Sequence, residues 1–154
     1  LNALVEEYGY PVIVSTHPRT RNRLAELDGS KINDKILFSK PFGFHDYIYL
    51  QMKALCVLSD SGTITEEASI LNLPAVTIRN THERPEGMDV GTLVMSGLKR
   101  ERVLHAVSIV TRQFCDSRRP VLPVADYENP HVSTQVIRIV LSYVDYINRT
   151  VWSK

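Results

Sequence analysis

Short apolar runs alternate along the chain with longer segments in which apolar residues recur at helical spacing. The short runs are rich in Val, Ile and Leu and are bounded by polar or turn residues, which is typical of strands buried on both faces. Strands are predicted at 12–15, 35–38, 56–59, 75–78 and 92–95. Helices are predicted at 1–8, 19–27, 44–54, 63–71 and 99–114. Strands that alternate with helices form a parallel sheet covered on both faces, so the pattern predicts an α/β fold with right-handed crossovers.

Both ends of the chain depart from this alternation. The first helix ends at Gly9, and because the sequence starts within that helix, we interpret the chain as a piece of something longer. The stretch that follows the fourth strand, up to Gly91, is predicted to be irregular. Near the C-terminus, segment 131–153 forms a long helix, and its apolar stripe over 132–152 either covers the core or reaches across to another domain.

Polar groups follow three of the predicted strands. Ligands of parallel sheets bind beyond the carboxyl ends of the strands. His17 follows the first strand, the turn 61–63 follows the third, and Arg84 lies after the fourth. An imidazole, a helix start and a guanidinium that meet at one edge suit a diphosphate. Each also has a plain structural interpretation, such as a loop histidine or a surface ion pair of Arg84 with Glu83 or Glu86.

The stretch VLSDSGTITEEA reads as a strand-to-helix turn. Ser61 and Gly62 make the turn, and a helix that starts at Thr63 presents unpaired N–H groups and the positive end of its dipole to an anion. Thr63 and Glu66 have the spacing of a capping box, which explains Glu66 but not Glu67. Glu67 is therefore a candidate for accepting hydrogen bonds from ribose hydroxyls, the alternative being a carboxylate that only stabilises the helix N-terminus.

Aromatic residues cluster in the helix before the third strand. At helical spacing such residues are most often part of a core. Phe44 and Tyr47, however, lie near the start of this helix, where their rings could flank a planar base. We therefore name these two residues as candidates for contact with a nucleotide base.

Composition limits the class of protein. A chain of 154 residues with 44% hydrophobic and 23% charged residues is typical of one globular domain. Eighteen basic and seventeen acidic side chains give a net charge of +1, which does not indicate nucleic-acid binding. Cys56 and Cys115 have no spacing that indicates a zinc site or a disulfide. With no predicted membrane span and no signal peptide, a cytoplasmic location is expected.

Common nucleotide and nucleophile motifs are missing from the sequence. No G-x-G-x-x-G opens a helix and no G-x-x-x-x-G-K-[ST] is present, so neither a dinucleotide site of the usual type nor a P-loop is supported. Ser61 lies in D-S-G rather than G-x-S-x-G, which argues against a nucleophile elbow. The anion site predicted at the turn is therefore of another kind.

The segments STHPRT, SDSGTITEEA, LPAV and ERPE, in this order, resemble the C-terminal half of the non-hydrolysing UDP-N-acetylglucosamine 2-epimerases. The resemblance implies a Rossmann-like parallel sheet with helices on both faces, which is the C-terminal half of a glycosyltransferase-B type two-domain fold. Residues 1–154 would be the UDP-binding domain, and the N-terminal domain would be absent. The segments HERPEG and SYVDYINRTVW resemble the branch that makes UDP-N-acetyl-L-fucosamine for capsule or O-antigen.

The resemblance also implies roles for the candidate residues. Ser61, Gly62 and Thr63 would hold the diphosphate, although the family usually has a second glycine at the position of Thr63. Glu67 would bind the ribose hydroxyls. His17 and Arg84 would lie at the phosphates, on the leaving-group side. Phe44 and Tyr47 would lie at the uracil base.

The reaction implied by the resemblance removes the C2 proton, expels UDP to leave a glycal, and adds UDP back with protonation on the other face. It is redox-neutral, so no metal, nicotinamide or other cofactor is expected. The expected partners are the UDP-sugar and the N-terminal domain, which carries the C2 acid and base, with a homodimer as a further candidate. The alternatives are a UDP-sugar glycosyltransferase domain and a nucleotide-binding module without catalysis.

Overall fold

A computed structural model of the chain describes residues 1–17, 20, 24, 32–116 and 122–154. The predicted helix at 19–27 lies outside the described residues apart from positions 20 and 24. The strands are β1 (Val12–Ser15), β2 (Ile36–Ser39), β3 (Val57–Ser59), β4 (Ala75–Thr77) and β5 (Val94–Met95). The helices are α1 (Asn2–Tyr8), α2 (Phe44–Lys53), α3 (Ile64–Leu71), α4 (Pro85–Asp89), α5 (Arg100–Asp116) and α6 (Val132–Thr150). Among the described residues the predicted alternation is confirmed, with boundaries that agree within two residues except at the end of α6, which stops three residues before the predicted position 153.

The described strands form two parallel sheets. β1 pairs with β2, and β4 lies between β3 and β5 in the second sheet. In the second sheet Ser59 is level with Thr77, and Thr77 is level with Met95. The carboxyl ends of β3, β4 and β5 therefore meet at one edge, which we call the carboxyl edge.

The core lies on both faces of β4, as expected for a central parallel strand. Ala75 packs with Ile64 and Ala68 of α3 on one face. Val76, the next residue, packs with Val107 and other residues of α5 on the opposite face. Consecutive side chains of a strand point to opposite faces, so β4 is buried from both sides and fixes α3 against the sheet.

Two parts of the chain differ from the sequence-based expectation. The stretch after β4 is not wholly irregular, because Pro85 starts the short helix α4, where its missing N–H costs nothing. A side chain at Gly87 would collide with Cγ2 of Thr65, so α4 packs closely on α3. The C-terminal helix α6 has no buried residue, so it does not cover the core of the described chain.

The two cysteines, which are both free, provide a test of this fold. Burial raises the pKa of the Cys56 thiol to about 12, whereas Cys115 is exposed. Because the thiolate is the reactive form, we expect iodoacetamide at about pH 8 to label Cys56 at least ~100-fold more slowly than Cys115 in the folded protein. Peptide mass spectrometry measures both rates, with the urea-unfolded chain as control. Equal rates in the folded state would contradict the position of β3.

Within the described ranges, none of the helices is both long and apolar enough to cross a lipid bilayer.

Candidate functional site

The turn between β3 and α3 is organised by its own hydroxyl groups. Ser61 donates its backbone N–H to Oγ of Ser59 at 3.1 Å. The hydroxyl groups of Ser61 and Thr63 lie 3.0 Å apart and share a hydrogen bond, and Thr63 donates its N–H to Oγ of Ser61 at 3.4 Å. Ser61 and Thr63 are exposed, so the structure places a hydroxyl-rich turn at the N-terminus of α3 and at the carboxyl edge.

The capping box predicted for Thr63 and Glu66 is wrong. Thr63 precedes α3 with helical angles of φ −64° and ψ −14°, and its side chain makes no capping hydrogen bond. A capping side chain reaches back to the helix from an extended backbone, which this turn lacks. The carboxylate of Glu66 binds Arg84 instead of returning to the start of the helix.

Arg84 lies directly against the turn. Its Nε donates to Oε1 of Glu66 at 2.5 Å, while its Nη1 is 3.9 Å from Oε2 of Glu83. The hydrogen bond and the charge of Glu66 raise the pKa of the guanidinium. A Cβ added to Gly62 would collide with Nη1 of Arg84, so glycine lets the guanidinium lie directly against the turn. The predicted meeting of the turn with Arg84 is present. Glu66 forms the hydrogen bond to the arginine, and the longer ion pair with Glu83, which the sequence offered as an alternative, is present as well.

The segment after Arg84 is held by a second contact. The hydroxyl of Tyr127, in a short 3-10 helix at Ala125–Tyr127, donates to Oε1 of Glu86 at 2.5 Å. Burial and this carboxylate raise the pKa of Tyr127, and the hydrogen bond lowers the pKa of Glu86. The start of α4 is thus fixed on both sides of Pro85, which limits the freedom of Arg84.

Glu67 points toward α2 rather than toward Arg84. Its Oε2 accepts a hydrogen bond of 2.6 Å from Nε2 of Gln51, a residue that is only 4% exposed. Tyr47 lies one turn before Gln51 on the same face of α2. Burial raises the pKa of the Tyr47 phenol, the charge of Glu67 raises it further, and the Gln51 side chain opposes the rise. Tyr47, Gln51 and Glu67 therefore form one group, which we call the α2–α3 cluster.

The two aromatic candidates have different surroundings. Tyr47 is half-buried in the α2–α3 cluster. Phe44, the first residue of α2, is 74% exposed and touches His45 edge to face, with ring centroids 5.6 Å apart. Phe44 is therefore not a core residue, and its ring is free to meet a ligand.

His17 lies at the carboxyl end of β1, in the two-stranded sheet. Its backbone carbonyl accepts a hydrogen bond from the N–H of Thr20 at 2.9 Å. Among the described residues, no hydrogen bond joins His17 to the turn or to Arg84. Its predicted role at the phosphates stays a prediction.

Three residues beside this site, which are Arg79, His82 and Gln51, were not among the candidates named from the sequence. Arg79 and His82 line a shallow pocket together with Ser61, Gly62 and Arg84. Arg79 donates to Oε1 of Glu83 at 2.7 Å, and this contact lowers the pKa of the glutamate. The signal that could have found Arg79 and His82 was their position just after the fourth strand. Gln51 carried no such signal, because its importance depends on contact with a different helix.

The chain is similar to known proteins over most of its length. Residues 1–141 match the family model described as UDP-N-acetylglucosamine 2-epimerase. A UDP-N-acetylglucosamine 2-epimerase of Methanocaldococcus jannaschii is 34% identical over 146 residues, which are 93% of this chain and 38% of that protein. A Pseudomonas aeruginosa relative, 32% identical over 62% of this chain and 26% of its own length, is a UDP-2,3-diacetamido-2,3-dideoxy-D-glucuronate 2-epimerase.

Solved structures of such proteins have the same fold. A UDP-N-acetylglucosamine 2-epimerase of Rickettsia bellii matches 99% of this chain and 42% of its own, with 59% identity and a TM-score of 0.91. The Methanocaldococcus jannaschii enzyme in complex with UDP-GlcNAc and UDP matches 90% of this chain and 38% of its own, with 33% identity and a TM-score of 0.76. The expected fold class, the C-terminal half of a glycosyltransferase-B type fold, is confirmed. The chain spans about two fifths of the length of these proteins.

Proposed function

Because the chain belongs to the UDP-N-acetylglucosamine 2-epimerase family, we propose that residues 1–154 form the UDP-binding C-terminal domain of a non-hydrolysing UDP-N-acetylhexosamine 2-epimerase. The observation that carries this proposal is the packing of the Arg84 guanidinium onto Gly62 at the N-terminus of α3. A glycine turn, a helix start and an arginine fork in one place form a site for a diphosphate.

The diphosphate contacts follow from this geometry. Nε of Arg84 is used by Glu66, so the Nη groups are the donors left for phosphate oxygens beside the turn. Within the described residues, the hydroxyls of Ser61 and Thr63 bond to each other and to the turn, and we propose that they also donate to the same phosphate oxygens. The start of α3 adds the positive end of its dipole. Thr63 takes the place of a second glycine by supplying a hydroxyl donor.

The nucleoside lies beside the α2–α3 cluster. Oε2 of Glu67 is bound by Gln51, which leaves Oε1 for the ribose hydroxyls. Tyr47 is next to Glu67 and faces the uracil. The exposed ring of Phe44 lies at the start of the same helix, one turn before Tyr47. The proposed diphosphate site at the start of α3 and the proposed ribose site at Glu67 are neighbours, which is necessary because the ribose and the diphosphate of UDP are directly bonded.

The reaction is elimination of UDP from C1 with loss of the C2 proton, followed by re-addition with protonation of the glycal on the other face. This domain stabilises the negative charge on the departing diphosphate through Arg84, with His17 on the leaving-group side. The acid and base that act at C2 belong to the N-terminal domain. We propose that the exposed apolar face of α6 docks on that domain, since nothing in the described chain covers it.

We propose that the sugar is a 6-deoxy-N-acetylhexosamine. The product would be used in the synthesis of capsule or O-antigen. Support comes from the likeness of HERPEG and SYVDYINRTVW to the fucosamine-forming branch. The Pseudomonas aeruginosa relative acts on another modified hexosamine, so sugar identity varies among relatives that retain the 2-epimerase name.

Binding of UDP tests the proposal directly. We expect Glu67→Ala to weaken UDP by about 30-fold, because hydrogen bonds from two hydroxyls to one carboxylate contribute roughly 2 kcal/mol. Inorganic phosphate, which meets only the turn and Arg84, should be little affected. Isothermal titration calorimetry measures both ligands. Glu101→Ala, at an exposed position on α5, serves as the matched control. Equal losses for UDP and phosphate would mean that Glu67 only supports the helix.

A further inference from the structure

Gln51 is a buried polar residue with an unusual hydrogen-bonding state. Its side chain is 4% exposed and its Nε2 donates to Oε2 of Glu67 at 2.6 Å. Its Oε1 is buried and has no hydrogen-bond partner among the described residues. A buried amide carbonyl without a partner disfavours folding. For stability alone, an apolar side chain of similar size, such as Met, would suit this position better.

The bond from Gln51 constrains Glu67, which would otherwise have several rotamers. Glu66 and Glu67 are consecutive in the first turn of α3, and of these two carboxylates Arg84 binds that of Glu66. Without Gln51, the carboxylate of Glu67 would be free to swing toward the arginine or into solvent. A charge-assisted bond to an amide fixed by burial holds one carboxylate oxygen and sets the direction of the other.

We propose that Gln51 is a positioning residue for nucleoside recognition: it holds Glu67 in the rotamer that presents one free carboxylate oxygen to a ribose diol. This inference rests on the proposed function, because it assigns the ligand of Glu67 as a ribonucleotide. It adds a residue from a different helix to the site and makes the choice between ribose and deoxyribose depend on a contact between α2 and α3.

The position of Tyr47 supports this assignment. Tyr47 and Gln51 are on one face of α2, and the pKa of Tyr47 responds to both Glu67 and Gln51. The ring of Tyr47, the amide of Gln51 and the carboxylate of Glu67 therefore lie next to one another. A substitution that frees Glu67 affects the ribose contact and leaves the turn at 61–63 in place.

The test uses Gln51→Met in the full-length protein, with UDP, 2′-deoxy-UDP and inorganic pyrophosphate as probes. We expect the wild-type protein to prefer UDP over 2′-deoxy-UDP. Gln51→Met should weaken UDP about tenfold, bring the ratio of the two affinities close to one, and leave pyrophosphate unchanged. Thermal unfolding should show an equal or higher Tm. Gln113→Met, at an exposed position on α5, is the matched control.

A second variant keeps the test valid if Gln51→Met fails to fold. Gln51→Leu also removes the donor but with a shorter, branched apolar side chain, and it should lose the same preference for UDP. In a Glu67→Ala background neither substitution should weaken UDP further, because the contact that Gln51 supports is already missing.

The outcomes separate this inference from the proposed function. If the wild-type protein discriminates between the two nucleotides and both Gln51 variants keep that discrimination, Gln51 has no positioning role and the UDP site stands. If the wild-type protein binds pyrophosphate but does not bind UDP more tightly than pyrophosphate, the proposed nucleotide site is wrong. The proposed role of Gln51 is then wrong as well.

Discussion

Arg84→Lys in the full-length enzyme is expected to lower turnover about 10²- to 10³-fold, the range found when a donor to a developing anion is removed. Tyr47→Leu should mainly raise KM and change turnover by less than about tenfold. In the proposed reaction, negative charge grows on the departing diphosphate in the transition state, whereas the proposed contact of Tyr47 with uracil is the same before and after bond cleavage.

The geometry explains why lysine cannot replace this arginine. Arg84 uses Nε to bind Glu66, and its Nη1 lies beside Gly62, where the proposal places the diphosphate. A lysine ammonium is a single point of charge, so it must either stay with Glu66 or turn to the phosphate. In both cases one of the two contacts is lost.

Steady-state kinetics with the UDP-sugar measures kcat and KM for each variant. Arg100→Lys is the matched control, since Arg100 forms an exposed pair with Glu6 at 3.4 Å, with side chains 66% and 62% exposed. Such surface pairs contribute little, so this control should keep nearly full activity. If Tyr47→Leu lowered kcat more than Arg84→Lys, the roles assigned to the two residues would have to be exchanged.

The alternation of strands and helices was predictable because it depends on local hydrophobic pattern. The meeting of Gly62 and Arg84 was also predictable, since neighbouring parallel strands bring their carboxyl ends to one edge of the sheet. This rule uses only the order of elements and needs no knowledge of side-chain packing. It predicts which segments meet, and it leaves open which atoms touch.

The partners of the acidic residues were not predictable from the sequence. Glu66 had the spacing of a capping box, yet the guanidinium of Arg84 is the stronger partner and lies 18 positions away. Gln51 and Glu67 are 16 positions apart, and their contact depends on how α2 lies beside α3. Helix α4 was missed because Pro85 and Gly87 are poor helix formers, and packing of Gly87 on Thr65 stabilises it.

The second large effect concerns the chain by itself. Residues 1–154 alone are expected to fold and bind UDP but not to epimerise any UDP-sugar. Folding is expected because β4 is buried on both faces by α3 and α5 within this chain. The exposed apolar residues of α6 should make the isolated chain prone to associate, so dilute samples are needed.

Catalysis should be absent because, in the proposed arrangement, this domain supplies only half of the cleft. Removal of the C2 proton requires a carboxylate within hydrogen-bonding reach of C2 and a site closed to water. Three carboxylates near the turn already have partners: Glu66 binds Arg84, Glu67 binds Gln51 and Glu86 binds Tyr127. Proton NMR of UDP-GlcNAc and its 6-deoxy relatives in deuterated water should show no deuterium at C2 with residues 1–154, and full exchange with the complete enzyme. Exchange catalysed by the isolated chain would place the base within residues 1–154 and overturn the proposed division of labour between the domains.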